Sequence, residues 1–390
     1  MEKIQSQIDK IQEEMAKEPY HKGTEGWFGL MRAKIAKLKA QLEWRPPTQS
    51  ASGGKRGFGV RKFGDATVVL VGFPSVGKST LLNALTNAKS PTAEYAFTTV
   101  TVIPGMMNYN SAQIQILDVP GLVEGAAKGR GRGREVLSVV RGADLLLIIV
   151  EVGKEEEQYQ RITSELEVNG VRINQSTPQV VVKKTQRGGI KINFSVIQEL
   201  DRETIIGVAK EFGVINGEIT VKERLSLDRL VDVFATNRVY VPAIFVINKV
   251  DKVSSTPEVQ VQFHLGGGID TTRREIIGIS AEKNIGLEEL REKIWEELGL
   301  VRVYLRDPKK SLSDHHIGVS SSTMYKGVAS DLEPMIMHIG ENLQDLLNRL
   351  GQDATVGKNE AKIWGPGARF EGQTVSLSTK VQDGMEVTFV

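Results

Sequence analysis

Between residues 66 and 85 a β-branched apolar run, Val68–Val71, passes into Gly72-Phe-Pro-Ser-Val-Gly77-Lys78-Ser79 and then into the helix-forming stretch Thr80-Leu-Leu-Asn-Ala-Leu. A strand joined to a helix through that spacing of glycines is a phosphate-binding turn. The glycines let backbone N–H groups curl around an anion, and the helix N-terminus behind them adds its dipole. Lys78 is placed to reach the β- and γ-oxygens of a nucleotide, and the Ser79 hydroxyl to ligate Mg²⁺. Phe73, Pro74, Ser75, Val76 and Thr80 fill out the cradle. A chance glycine-rich turn would not carry both the strand before it and the helix after it.

Further apolar runs at Ile114–Leu117, Leu145–Val150, Ala243–Ile247 and Ile276–Ile279 are continuous and β-branched, as strands buried on both faces are. With helical stretches between them they predict a doubly wound α/β sheet. Ligands bind such sheets at the carboxyl ends of the strands, and three motifs stand there. Asp118-Val-Pro-Gly121 offers a carboxylate to Mg²⁺ and the Gly121 N–H to a γ-phosphate. Asn248-Lys249-Val250-Asp251 offers Asp251 to the guanine N–H donors that adenine lacks, with Lys249 over the base and Asn248 bracing the turn at Gly72–Ser79. Ser280-Ala281-Glu282 closes the pocket by backbone donation to the guanine oxygen. Between the first two elements, Phe97-Thr98-Thr99 offers a hydroxyl that completes the metal shell when the γ-phosphate is present; by spacing, either threonine fits. The combination implies a GTP site.

The remainder bounds the setting. A chain of 390 residues implies several domains. Cys is absent, which excludes a disulfide framework, a thiolate metal site and a Cys nucleophile, and fits a reducing compartment. The first residues, Met1-Glu-Lys-Ile-Gln-Ser, lack an apolar signal core, and no apolar run approaches the ~20 residues of a membrane helix. The expectation is a soluble cytoplasmic protein with no membrane partner. Net charge is only +2, yet Arg32–Lys62 holds nine basic residues against the single acid Glu43, a stripe able to meet phosphates or to form a solvated helix face. Ile4, Ile8, Ile11 and Met15, then Ile35, Leu38 and Leu42, predict a helical hairpin before a Pro-, Gly- and Ser-rich linker. Far more chain separates Val150 from Ala243 than one crossover helix needs. It reads as an inserted subdomain over about 153–236, with an acidic helix from Glu155, a hairpin around Gly188-Gly189, a helix from Asp201, and a strand and helix reaching Ala235. After Leu300 a small α+β unit follows.

Gly72-Phe-Pro-Ser-Val-Gly-Lys-Ser-Thr, Phe97-Thr-Thr, and Asp118-Val-Pro-Gly-Leu-Val-Glu-Gly-Ala-Ala-Lys-Gly-Arg-Gly-Arg-Gly-Arg-Glu together resemble the Obg superfamily of GTPases, most nearly its developmentally regulated GTP-binding (DRG) proteins. Asn237-Arg-Val-Tyr-Val-Pro and Lys293-Ile-Trp-Glu-Glu-Leu-Gly-Leu-Val-Arg-Val-Tyr extend the likeness along the chain. The resemblance implies a P-loop NTPase fold of the Ras-like doubly wound type. An N-terminal helical domain would span 1–62, a GTP-binding domain 63–300, and a C-terminal β-grasp TGS domain 301–390. It makes Thr99 the metal ligand. It also implies a molecular switch tied to ribosomes, RNA and translation, and a dedicated stabilising partner protein. Two departures count. Leu122 stands where Ras-like enzymes place a water-orienting Gln, so intrinsic hydrolysis is expected to be slow. Relatives that use K⁺ often place an Asn where this chain has Ser75, which argues against potassium stimulation. Asp314-His315-His316 lacks companion ligands for a metal site. The run of alternating glycines and cations from Gly125 to Arg134 reads as a switch segment.

Overall fold

A computed structural model of the chain describes residues 2–43, 63–86, 102–119, 137, 139–252, 276–306, 333–351 and 357–390. These fall into two compact units. One is drawn from Met1–Gly59, Gly121–Arg141 and Gln160–Pro242, the other from Val60–Pro120, Gly142–Tyr159 and Ala243–Val390.

The chain begins with α1 (Glu2–Lys17) and α2 (Glu25–Glu43). It continues through β1 (Ala66–Gly72), α3 (Lys78–Leu85), β2 (Ile103–Tyr109), β3 (Ala112–Asp118) and β4 (Leu145–Glu151). Then follow α4 (Glu155–Val168), β5 (Val171–Ile173), β6 (Val180–Lys184), β7 (Ile190–Phe194), α5 (Arg202–Glu211), β8 (Gly217–Val221), α6 (Leu227–Phe234) and β9 (Val239–Val241). The last stretch holds β10 (Ala243–Asn248), β11 (Ile276–Gly278), α7 (Leu287–Leu298), β12 (Leu300–Leu305), β13 (Met335–His338), α8 (Leu343–Arg349), β14 (Glu360–Trp364), β15 (Gln373–Ser376) and β16 (Met385–Phe389).

The second unit is built on a six-stranded sheet of order β11-β10-β4-β1-β3-β2. All neighbours are parallel except β2, which runs antiparallel to β3 at the edge. Every residue of β1 is buried, as are the first six of β4, which is why both read as unbroken apolar runs. Leu81, Leu82 and Leu85 of α3 and Leu287, Leu290 and Ile294 of α7 pack into the same core as Val68, Leu70, Leu145 and Leu147. Strand β2 joins β3 through Asn110 and Ser111, whose φ of 49° and 68° suit a two-residue hairpin turn. The carboxyl ends of β1, β3, β4 and β10 thus lie in one row. A separate five-stranded sheet has the order β13-β12-β16-β14-β15, with β12 and β16 parallel in its middle and α8 packed on it through Leu343, Leu346 and Leu347.

In the first unit α2 presents small residues to α5 and α6. Ala33 and Ala36 are buried, and a Cβ on Gly29 would lie 3.0 Å from Leu227 Cδ1 and 3.2 Å from Val208 Cγ2. Of the basic stripe, Arg32 pairs with Asp228 at 2.7 Å, Lys37 pairs with Glu211 at 3.4 Å, and Lys39 donates to the Val168 carbonyl at 2.8 Å. Exposed pairs of this kind contribute at most about 1 kcal/mol each. Their consequence is that these three cations are engaged within the unit; residues 44–62 lie outside those described.

The hairpin expected around Gly188-Gly189 is not formed. The small sheet has the order β6-β8-β7, so β8 enters between the two strands and pairs antiparallel with β6 and parallel with β7. Asn216 and Gly217 hold the chain open. Gly189 N donates to Asn216 Oδ1 at 2.9 Å, and Gly217 N to Gly189 O at 3.0 Å. A Cβ on Gly217 would stand 2.7 Å from Lys183 O, so only glycine fits there. Ile192, Ile219 and Val221 gain full burial from this order. Among the described residues no helix is long and apolar enough to cross a membrane.

Candidate functional site

The turn after β1 is shaped by two left-handed residues, Ser75 at φ 63° and Gly77 at φ 98°. Gly77 is sterically required as well: a Cβ there would fall 2.3 Å from Asn248 Nδ2. Val76 is buried beneath the turn, while Pro74 and Ser75 face outward. Lys78, the first residue of α3, donates its ammonium to the carbonyls of Gly72 (3.0 Å) and Phe73 (2.8 Å). Ser79 and Thr80 follow on the exposed side of the helix.

Beside them ends β3. Asp118 is 4% exposed, and its Oδ2 accepts from Ser79 Oγ at 2.6 Å. Its other oxygen, Oδ1, is buried with no hydrogen-bond partner among the described residues. A buried carboxylate oxygen without a donor needs a cation or water to balance it. Together with the Ser79 hydroxyl it forms a pair of hard oxygen ligands, which suits Mg²⁺. Among the described residues no group of three or more His, Cys, Asp or Glu is placed to hold a metal ion. A single carboxylate is the usual protein share of a nucleotide-bound Mg²⁺.

At the end of β10, Asn248 links three segments. Its Nδ2 donates to Val76 O at 2.8 Å, while its Oδ1 accepts from Lys249 N at 2.8 Å and from Ala281 N at 3.0 Å. It is 2% exposed, so losing any partner would strand a buried amide. Lys249 adopts φ 67°, and its ammonium donates to Ser75 O at 2.7 Å and Glu151 Oε1 at 2.6 Å. Asp251 lies in the single helical turn Val250–Lys252. The Ser280 hydroxyl hydrogen-bonds to it and holds its carboxyl below the usual carboxylate range, with the Lys283 ammonium 3.7 Å away assisting. Ser280 is fully buried and bridged to Ile285 by a reciprocal pair of 3.1 Å backbone bonds. Ala281 is buried and Glu282 exposed.

The sequence motifs therefore converge: Gly72–Thr80, Asp118, Asn248, Lys249, Asp251 and Ser280–Glu282 surround one row of strand ends. Phe97, Thr98, Thr99, Gly121 and Leu122, and Asp314-His315-His316, lie outside the described residues. One side chain of the site went unread in the sequence. Glu151 closes an otherwise apolar strand, and that abrupt acid was the signal for it.

Residues 67–184 match the family described as 50S ribosome-binding GTPase, and residues 187–300 match the C-terminal region of the same domain. An uncharacterized GTP-binding protein of Halobacterium salinarum is 40% identical over 97% of this chain and 97% of its own length. One from Methanocaldococcus jannaschii is 38% identical over 99% of this chain and 93% of its own. Developmentally-regulated G-protein 1 of Arabidopsis thaliana is 36% identical over 97% of this chain and 89% of its own. With the phosphate-binding turn, the Ser79–Asp118 pair and the Asn248 junction in place, likeness of this extent means that the chain is a GTP-binding P-loop GTPase and belongs to the developmentally regulated G-protein family.

Proposed function

We propose that this protein is a slow, Mg²⁺-dependent GTPase that acts as a molecular switch on ribosomes or RNA in translation. The observation that carries the nucleotide assignment is the Asn248 junction, which locks Val76, Lys249 and Ala281 into one frame around Asp251. In this reading Asp251 accepts from the guanine ring, Lys249 covers the base, and the Ala281 region meets the guanine oxygen. Backbone amides of Gly72–Ser79 and the Lys78 ammonium take up negative charge on the β- and γ-phosphates. Ser79, Thr99 and Asp118 hold Mg²⁺, which when bound neutralises phosphate charge during attack by water. Gly121 N–H senses the γ-phosphate. Lys78→Ala is expected to lower single-turnover GTP hydrolysis by at least about a hundredfold; undiminished turnover would remove Lys78 from its role.

The domain assignment belongs to the same proposal: 1–62 helical, 63–300 GTP-binding with an insertion over about 153–236, and 301–390 a TGS domain. The strand order β13-β12-β16-β14-β15, with a parallel central pair and one packed helix, supports a β-grasp reading of the last segment. The ribosome reading is supported by the matched family's description as ribosome-binding. A stabilising partner protein and a cytoplasmic site of action come with it.

Co-sedimentation with ribosomes tests the reading, with a non-hydrolysable GTP analogue or GDP at two salt concentrations. Binding that favours the analogue and survives moderate salt is expected. Equal binding that salt removes would reduce the interaction to nonspecific phosphate attraction. Leu122 in the primary structure favours a second reading, an RNA or ribosome adaptor with negligible turnover. Single-turnover rates that stay on the order of 10⁻⁴ s⁻¹ with ribosomes present would select it.

A further inference from the structure

We infer that Glu151 is a positioning residue for Lys249, and that through this lysine it sets the affinity for the guanine nucleotide. The inference rests on the reading of Lys249 as the residue that covers the base.

Glu151 is the last residue of β4 and stands level with Asn248 across the parallel pair β4–β10. Its Oε1 lies 2.6 Å from the Lys249 ammonium, which also donates to Ser75 O at 2.7 Å. The ammonium is thus held between two oxygens, one from the phosphate-binding turn and one from the neighbouring strand. That double anchor matters because Lys249 sits at φ 67°, a backbone region that an ordinary side chain occupies only when its surroundings fix it. The backbone is fixed by the Lys249 N bond to Asn248. The long flexible stem has Ser75 O and Glu151 as its hydrogen-bond acceptors.

Glu151 is itself restrained. Its backbone N donates at 2.9 Å to Gln158 Oε1, and Gln158 is buried. Val152 N donates to Asn248 O at 3.2 Å, which keeps the two strand ends in step. Lys154 and Lys252 lie 3.6 and 3.8 Å from the carboxylate, so three ammonium groups face one acid. Accepting from Lys249 is the chief reason that its carboxyl is held below the usual range. Both side chains of the pair keep about a fifth to a quarter of their surface exposed, so the contact is partly screened but not lost to solvent. Without Glu151 the stem of Lys249 regains rotamer freedom, and the base loses a preformed lid. The ion pairs of the Glu151 carboxylate are to Lys249, Lys154 and Lys252, all on the strand-end side of the site.

The experiment measures dissociation constants for fluorescent GDP and a fluorescent non-hydrolysable GTP analogue, with KM and kcat for GTP. The variants are Glu151→Ala, Glu151→Gln, Lys249→Ala and the Glu151→Ala/Lys249→Ala double variant of the full chain. For Glu151→Ala both dissociation constants are expected to rise together, about fivefold to twentyfold. The loss falls on KM, with kcat at saturating GTP changed less than twofold. Glu151→Gln keeps an acceptor oxygen and falls between wild type and alanine. In the Lys249→Ala background, Glu151→Ala adds less than twofold, because its lysine is gone. Unchanged affinity in Glu151→Ala, or the same loss in both backgrounds, overturns the positioning role. Unchanged affinity in Lys249→Ala overturns instead the reading of Lys249 as the residue over the base.

Discussion

Asp251→Asn is expected to weaken GTP and GDP binding by roughly two to four orders of magnitude, while xanthosine nucleotides gain affinity. In the proposed role the carboxylate would offer two acceptor positions to the two N–H donors on the guanine edge. An amide offers one acceptor and one donor, which fits a ring bearing a second oxo group instead. The site is prepared for the charged form, since the Ser280 hydroxyl hydrogen-bonds to the carboxylate and Lys283 lies 3.7 Å away. A depressed carboxyl contributes above its own pKa and is lost only as the pH falls through that value. Guanine preference in the wild-type protein should therefore persist as the pH drops through about 4, where an unperturbed Asp gains its proton. Competition against fluorescent GDP reads both effects. Equal GTP affinity in wild type and Asp251→Asn would remove Asp251 from base recognition.

The second large effect is on stability. Asp232 is 7% exposed and answers two guanidinium groups at once. Arg172 meets it side-on through Nε at 2.6 Å and a terminal nitrogen at 2.9 Å, and Arg238 Nε lies 2.5 Å from the same carboxylate. Arg172 also donates to Glu167 O, which fixes the end of α4 to β5. Asp232→Ala leaves two nearly buried cations facing each other, and removal of one partner from such a group costs about 3–5 kcal/mol. The expected result is faster hydrogen exchange throughout β5, β9 and α6, with GDP affinity unchanged. Exchange rates equal to wild type would mean that water already screens the cluster.

The candidate site was largely legible because each of its motifs is short and sits at a strand end. Gly72–Ser79, Asp118 and Asn248–Asp251 needed only spacing and the apolar run before each. What stayed hidden depended on contacts between distant residues. Arg172 and Asp232 are separated by β6, β7, α5 and β8, and nothing local marks them as partners. The glycines at 188 and 189 look like a hairpin turn, yet the space between the strands is taken by β8, whose Asn216-Gly217 step comes much later in the chain. Strand β2 also escaped notice. Ile103-Pro-Gly-Met-Met-Asn-Tyr has a proline and a glycine where a strand is expected to be apolar, and both are tolerated because β2 lies on the sheet edge. Glu151 was overshadowed by the acidic run that starts at Glu155.

The interleaving of the two units bears on how the chain can be made. Each unit draws on three separated stretches of sequence, and in the main sheet β4 lies between β1 and β10, neither of which adjoins it along the chain. When β4 emerges during synthesis it has β1 as a neighbour, but its other edge stays open until β10 follows at Ala243–Asn248. That edge belongs to one of the most apolar strands in the chain, and open edges of this kind recruit foreign strands. For the time needed to make α4 to β9, the nascent protein therefore presents an adhesive surface that its finished form hides. Its yield in a cell depends on protection during that interval as well as on the stability it finally reaches.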